Sequence, residues 1–541
     1  MIRERWPLPL RPMPVERLAY ADTGRFATPV IDHLANDPFI RQFLDLPPDM
    51  DGLRQAAARL DFDLAKRAVL CAALDEQHAE LDLHPAVREN LRRLRDPRAL
   101  TVTTGHQLCL FTGPLYVPYK ILNAIRLARE ASVALDRPVI PVFWMATEDH
   151  DAAEIDHAVI NGRTIRWNGA GGGAVGRMRL QGITEQVEEA ITALGVGEGA
   201  DHLAKLLREA YREDRTLAEA TRHFVHALFG HHGLLIVDGD DPALKRLFAP
   251  IIQEELLNQV AQRTVAYADE RIKERYAVQA HAREINLFHL RNGHRSRIVQ
   301  DDDHYQVLDG GPRWTLDELL ARVEAHPEDF SPNVLLRPVY EATILPDIAY
   351  IGGGGELAYW IQLHWLFQAV RICMPAFFLR TSTATISAKH REHWGALRLE
   401  AKDLFRMVDE VKTEVAARTA GFRTELTAER AELERLYAAI SEVATAADGS
   451  LEGAVAARRQ QAMRGLERLE MGLVRAAKRD QAVAMQRIDA VHAALFPNGG
   501  LQERRESFLP VIAAHGLGAI DHWLELLDPL DHTFALVGEE G

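Results

Sequence analysis

Residues 99–130 read Ala-Leu-Thr-Val-Thr-Thr-Gly-His-Gln-Leu-Cys-Leu-Phe-Thr-Gly-Pro-Leu-Tyr-Val-Pro-Tyr-Lys-Ile-Leu-Asn-Ala-Ile-Arg-Leu-Ala-Arg-Glu. Leu100, Val102 and the interleaved threonines, ending at Thr104, favour a short strand. Gly105 permits a sharp exit from it. Thr112 or Gly113 suits a helix N-cap, and Pro114 suits the first turn. Leu115, Tyr119, Leu122 and Ile125 then recur at helical spacing to about Glu130. A strand, a polar glycine-containing loop and a helix therefore follow one another. Such a loop can offer backbone N–H groups to an anion, with the helix N-terminus adding favourable charge. His106, Gln107 and Lys120 supply side-chain donors. The glycine spacing matches neither a dinucleotide fingerprint nor a P-loop. The competing reading is a tight turn in a core, with Lys120 in solvent.

The same pattern recurs down the chain. Val139–Trp144 is continuously apolar, as in a sheet covered on both faces. Glu148, Asp149, His150 and Asp151 follow it directly, where open α/β folds place their sites. They could bind a divalent ion, orient an amine or move a proton, or simply form an acidic helix start. Leu234–Val237 reads as a further buried strand, and Asp238 at its end could touch a sugar hydroxyl or cap the next helix. Leu335–Tyr340 has strand character and leads through Glu341 to Asp347. Gly352, Gly353, Gly354 and Gly355 then precede Glu356 and an aromatic helix, as a ligand wall or a hinge. Phe377–Leu379 reads as the last central strand. Arg380 at its end could meet a carboxylate or phosphate with a forked contact.

With 541 residues the chain is long enough for several domains. A formal charge of −15 argues against nonspecific nucleic-acid binding. The N-terminus is rich in proline and arginine, with no apolar signal core, and reads as extended. No apolar run reaches membrane-spanning length. Cys71, Cys109 and Cys373 are widely separated, which excludes a disulfide scaffold and a Cys-rich zinc cluster and makes the cytoplasm the simplest location. Cys109 sits among leucines and reads as core. His223, His226, His231 and His232 lie near a helix end without a complete zinc pattern, and read as surface or capping residues.

Residues 32–96 are mainly helical in pattern, and 161–181 form a glycine-rich hairpin or insertion boundary. Residues 283–330 mix short strands with turns, as in an insertion. Leu426, Leu433 and Ile440, then Leu466 and Leu473, repeat at seven residues. That spacing fits two antiparallel helices, over about 400–448 and 454–495.

Thr104–Lys120 resembles the bacillithiol-biosynthesis cysteine-adding enzyme family, BshC. So do Pro141–His157, Ser331–Trp360 and the region Phe377–Thr381. The resemblance runs through Arg337, Glu341, Asp347, Gly352, Gly353, Gly355 and Glu356. The family often carries proline at the position of Gly354 and asparagine at that of Thr381, so a looser glycine run is expected here. The resemblance implies an α/β fold: a mostly parallel, Rossmann-like nucleotidyltransferase core with connective insertions and an antiparallel coiled-coil arm that forms a homodimer. The expected divisions are N-terminal helices with the first part of the core (1–160), an insertion (161–225), core continuation (226–270), a second insertion (271–330), core completion (331–390), the arm (391–500) and a helical return (501–541).

The implied activity is that of a ligase joining L-cysteine to glucosaminyl malate through an amide bond. An unactivated carboxylate is a poor acyl donor, so ATP with magnesium would be one source of activation; the resemblance establishes neither, and leaves any metal unknown. On this reading His106, Lys120, Glu148, Asp149, His150 and Asp151 carry the chemistry. Thr104, Gly105, Gln107, Thr112, Gly113, Asp238, Arg337, Glu341, Asp347, Gly352, Gly353, Gly355, Glu356 and Arg380 bind substrate or nucleotide. His150 could accept the ammonium's proton, and His106 and Lys120 could stabilise negative charge. The alternatives are a nucleotidyltransferase activating another small acid, and a nonenzymatic assembly protein built on the coiled coil.

Overall fold

A computed structural model describes residues 14–169, 171–291 and 293–539. Most of the proline- and arginine-rich start, expected to be extended, lies outside them. The centre is a five-stranded sheet made of β1 (Leu100–His106), β2 (Val139–Met145), β3 (Leu235–Asp238), β4 (Asp347–Gly352) and β5 (Ala376–Leu379). Its spatial order is β5-β4-β1-β2-β3 and every pairing is parallel. This is the doubly wound Rossmann-like order, and it reverses between β1 and β4. The strands are buried on both faces, which is why their sequences are continuous apolar runs rather than alternating ones.

Register brings the strand ends together. His106 pairs with Met145 and Met145 with Asp238, while Gly352 pairs with Leu379. Helix α1 (Tyr116–Leu135) crosses from β1 to β2, with Tyr119, Ile121, Leu122 and Ile125 buried. Its start departs from the expectation. Neither Thr112 nor Gly113 caps it; Leu115 holds the N-cap position, and its N–H donates to the Glu506 carbonyl.

Two long segments interrupt the sheet. Between β2 and β3 lie the short helix Ala152–Ile155, the antiparallel hairpin His157–Ile160 and Arg163–Arg166, and three longer helices. Between β3 and β4, α2 (Pro242–Asn258) and a further helix lead into an antiparallel five-stranded sheet that includes Leu287–Arg291 and His294–Asp301. The strand expected at Leu335–Tyr340 is instead the start of helix α3 (Arg337–Ile344). Asn333 Oδ1 accepts the N–H groups of Leu335 and Leu336, and Pro338 sits in the first turn. The segment is buried almost all round, so apolar periodicity could not distinguish helix from strand.

After β4, α4 (Gly354–Trp360) begins at once. Gly352 ends the strand and Gly353 is the N-cap. A Cβ on Gly352 would lie 2.4 Å from Phe377 Cζ, so close packing requires a glycine there. Gly354 occupies the first helical position, the one that proline also suits.

The C-terminal part is helical. Helices α5 (Val408–Thr419), α6 (Thr427–Ala447), α7 (Glu452–Asp480) and α8 (Ala482–Leu495) follow in order. The first expected long helix is thus broken before Thr427. The pair α6 and α7 is antiparallel: Glu470 Oε1 accepts the Leu426 N–H at 2.8 Å, Arg430 pairs with Glu470 at 2.6 Å, and Arg459 pairs with Glu434 at 2.6 Å. Ile488, Val491 and Leu495 of α8 return into the core. The helical return, Leu509–His515 and Gly518–Leu526, ends in an unanticipated strand, Thr533–Gly538, which pairs with Val15–Ala19 and Thr383–Ile386. Among the described residues no helix is long and apolar enough to cross a membrane.

Candidate functional site

A cleft of about 500 Å³ opens beyond the C-terminal ends of β1 and β4, at the point where strand order reverses. Its floor is built around a buried ion pair. Lys120 points out of α1, and its Nζ donates to the Gly105 carbonyl and to Glu356 Oε2 at 2.7 Å. Glu356 sits in the first turn of α4 and also accepts from the Gly353 N–H at 2.8 Å and the Tyr350 hydroxyl at 2.6 Å. Burial alone would raise the Glu356 pKa, but Lys120 and these donors bring it below the usual carboxylate value. Lys120 is therefore not in solvent. It locks β1, α1 and the glycine run together.

His106 ends β1. The Gln107 N–H, an obligate donor, gives to His106 Nδ1 at 2.7 Å, so the ring proton sits on Nε2 and faces the Tyr116 hydroxyl at 3.0 Å. Burial, with Lys120 nearby, pulls the His106 pKa down to about 3, and the ring is neutral. Gln107 Nε2 donates to Asp149 Oδ2 at 2.7 Å, tying the first loop to the second. Three amides of the loop after β1 bond within it: Cys109 N–H to Gln107 O, Thr112 N–H to Cys109 O, and Gly113 N–H to Leu110 O. Thr112 is buried in the left-handed region at φ 69°. A Cβ on Gly113 would press on Cys109. This loop packs against the first insertion. Cys109 is core, and burial pushes its thiol up to about 12.

On the other wall Arg380 is engaged inside the protein through one nitrogen on a carboxylate and the other on the Thr381 carbonyl and the Ser382 hydroxyl, not through the expected fork. Nη2 pairs with Glu503 Oε1 at 2.7 Å, and Glu503 Oε2 accepts the Thr383 N–H at 2.9 Å. The Arg380 guanidinium also lies over the Tyr116 ring at 5.1 Å, and Arg504 joins it on the cleft edge. The Thr381 N–H is bound by Asn123 Oδ1 at 2.6 Å.

A second lobe of about 330 Å³ continues past Trp144 and Asp149 toward the second insertion. Arg337 stands between the lobes. Its Nη1 donates to Glu341 at 2.6 Å, while its buried Nη2 makes no hydrogen bond. Arg295 enters from the insertion sheet. It stacks on Phe288 at 4.0 Å and donates to the Pro332 carbonyl and to His150 Nδ1, both at 2.9 Å. That donation occupies the His150 Nδ1 lone pair. Asp149 accepts the His150 N–H at 2.7 Å, and the hydrogen bonds from Gln107 and His150 outweigh the effect of burial to keep its carboxyl below the usual range. Glu148 is buried with Lys245 Nζ 2.8 Å away, and Lys245 also reaches Asp240 at 2.7 Å. Burial raises the Glu148 pKa against the pull of Lys245. Neither histidine thus presents a free lone pair, whereas Glu148 is a carboxylate held in the wall of the second lobe.

The structure gathers Gly105, His106, Gln107, Lys120, Asp149, Arg337, Gly353, Gly355, Glu356 and Arg380 at one cleft, with Glu148 in its second lobe. His150 adjoins it through Arg295, and Gly352 through Gly353. Asp151 is exposed on the loop beyond. Others stand elsewhere. Asp347 begins β4, a strand length from the cleft, and takes hydroxyl bonds from Thr101 and Thr103. Thr104 bonds the Ile351 carbonyl between strands. Asp238 is held by Thr147 and Arg222. Glu341 supports Arg337 from beneath. Sequence reasoning missed Arg295, Lys245, Tyr116, Arg504 and Glu503. Tyr116 lies within the Thr104–Lys120 stretch but reads there only as part of the helix start, while the other four come from a helix, an insertion or the C-terminal return. Of the acidic residues after β2, Glu148 is engaged by Lys245 and Asp149 by Gln107 and Arg295, while Asp151 stands exposed.

The N-terminal Rossmann-like domain model of the bacillithiol-biosynthesis family BshC matches residues 13–381, and the family's C-terminal coiled-coil domain model matches 384–539. A Flavobacterium johnsoniae protein named "Putative cysteine ligase BshC" is 35% identical over 528 residues, covering 97% of this chain and all of the relative. Proteins of the same name from Cytophaga hutchinsonii and Geobacillus kaustophilus are 35% and 29% identical, covering 95% and 86% of this chain. The chain belongs to the BshC family.

Proposed function

We propose that this enzyme is the cysteine ligase of bacillithiol biosynthesis, and that it joins L-cysteine to the amine of glucosaminyl malate in the two-lobed cleft. The observation that carries the reading is the cleft itself. It sits at the switch point of a Rossmann-like sheet, in a chain that the BshC models cover almost end to end, and it gathers Lys120, Arg337, Arg380 and Arg504, the first three each paired with a carboxylate. Both substrates carry carboxylates, and activation of one adds more negative charge, which these cations stabilise. Arg337 Nη2, buried and unpartnered, is the donor best placed to receive a carboxylate or phosphate oxygen.

Bond formation needs the amine free of its extra proton. The amine nitrogen attacks the activated cysteine carbonyl, the C–N bond forms, the leaving group departs, and the amine's proton passes to Glu148. Burial tunes Glu148 toward that task, and Lys245 holds it. His106 and His150 act as positioned donors rather than bases.

The same reading places the enzyme in the cytoplasm and makes it a homodimer through the arm. No residue of α6 is buried, and Leu436, Ile440, Val443 and Leu469 stand exposed after the two arm helices have paired. The two segments between β2 and β3 and between β3 and β4 act as connective insertions. Purified protein incubated with cysteine and glucosaminyl malate, with and without ATP and magnesium, tests the activity. The expected result is a product of the mass of the amide. Folded protein yielding no joined product under any condition overturns it.

A further inference from the structure

At the opposite end of the sheet, before β3, the turn Gly230–His232 meets helix Gly518–Leu526 of the C-terminal return. The geometry points to a divalent transition-metal site there, formed by His231, His232 and Asp521. The donor atoms all lie within 4.8 Å of one another. Asp521 Oδ1 is 3.3 Å from His231 Nε2 and 3.1 Å from His232 Nε2. The edge of a tetrahedron with metal–ligand bonds of about 2.0–2.1 Å is roughly 3.3–3.4 Å, so the two histidine–aspartate spacings are those of ligands around one ion. The His232 side chain is 6% exposed, and its Nε2 is buried without a hydrogen bond, because Asp521 lies out of line for one. A buried imidazole nitrogen facing a carboxylate oxygen at 3.1 Å, with a second imidazole nitrogen at 3.3 Å from the same oxygen, is the donor arrangement a metal ion takes. Two imidazoles and a carboxylate suit zinc, nickel or copper(II) rather than calcium or magnesium. Asp521 is well exposed, which leaves an open path and a fourth position for water.

Arg129 opposes binding. Its Nη2 donates to His232 Nδ1 at 2.6 Å, which puts the ring proton on Nε2. Ion uptake at Nε2 therefore shifts that proton to Nδ1, with no net proton lost from the ring, and breaks the Arg129 contact. Sequence spacing could not show the site, because Asp521 lies 290 residues beyond His231. The bound ion would pin the C-terminal return to the sheet.

Titration of the purified full chain with zinc, and separately with cobalt(II), tests the site. The expected result is one ion per chain at micromolar concentration and visible cobalt bands of tetrahedral intensity. Binding should weaken at least tenfold in His232→Gln and in Asp521→Asn, and tighten in Arg129→Gln. His223→Gln/His226→Gln should bind as the parent does. Circular dichroism confirms that each variant is folded. No stoichiometric ion in the parent chain, or equal binding in folded His232→Gln, overturns the proposal.

Discussion

Replacing Lys120 with methionine tests the physical basis of the cleft. The side chain is 4% exposed and Glu356 is 24% exposed. Methionine keeps most of the volume but leaves the Glu356 carboxylate with only the Tyr350 hydroxyl and the Gly353 N–H. Removing one partner of a buried pair costs about 3–5 kcal/mol, and the partial exposure of Glu356 places the cost near the lower end, about 3 kcal/mol. Glu356→Gln in the same background removes the stranded charge, so the double variant should recover about 1–2 kcal/mol relative to additivity. The pH dependence has a definite sign. In the parent chain the Glu356 pKa lies below its usual value, so its contribution is present above the unfolded pKa and is lost as pH falls. Without Lys120 burial dominates and the pKa rises. The Lys120→Met destabilisation should therefore grow between pH 5 and pH 8. Urea unfolding, followed by circular dichroism and fluorescence at both pH values, measures this. A loss below about 1 kcal/mol, or one independent of pH, would refute the view that a charged pair organises the floor.

Glu148→Gln should lower kcat by about 10²–10⁴ with little change in KM and abolish the acid limb of the pH–rate profile; a retained limb would assign the base elsewhere. Glycine substitutions should separate packing from freedom. Gly352→Ala should destabilise by about 1–3 kcal/mol, because its Cβ meets Phe377, whereas Gly355→Ala meets nothing within 4 Å and should be neutral or stabilising by less than about 1 kcal/mol, as thermal unfolding would show. His106, with its pKa depressed to about 3, contributes stability present above its unfolded pKa and lost as pH falls toward 3; His106→Gln should flatten the stability–pH curve in that window. Arm contacts should appear in sedimentation as a concentration-dependent dimer. Charged substitutions at the outward Leu436 and Ile440 should yield folded monomer.

The sheet was legible where burial made the sequence apolar without alternation. Val139–Met145 and Leu235–Asp238 stand within a residue or so of their expected places, because a strand covered on both faces leaves that mark. Strand order was not legible, since the crossovers that set it pass through two long insertions. Leu335–Tyr340 misled for the same physical reason that made β2 easy: burial all round erases the period that separates helix from strand. The loop after β1 reads as polar and glycine-containing, but its backbone path was not legible. Its left-handed residues are Phe111 and Thr112 as well as Gly113, and no sequence rule marks the first two. Lys120 and Glu356 were visible as candidates but not as partners, being 236 residues apart. Arg295 carried no signal, because an arginine in an insertion strand reads as surface until the fold swings it over His150.

The central claim is that this cleft joins cysteine to glucosaminyl malate. The measurement that tests it most directly is product formation, followed by mass spectrometry, for the parent enzyme beside the folded His106→Gln/His150→Gln and Glu148→Gln variants under identical conditions. The account predicts the amide product from the parent enzyme and a loss of at least a hundredfold in Glu148→Gln, with a clear loss in the histidine pair. Unchanged turnover in both variants would contradict it.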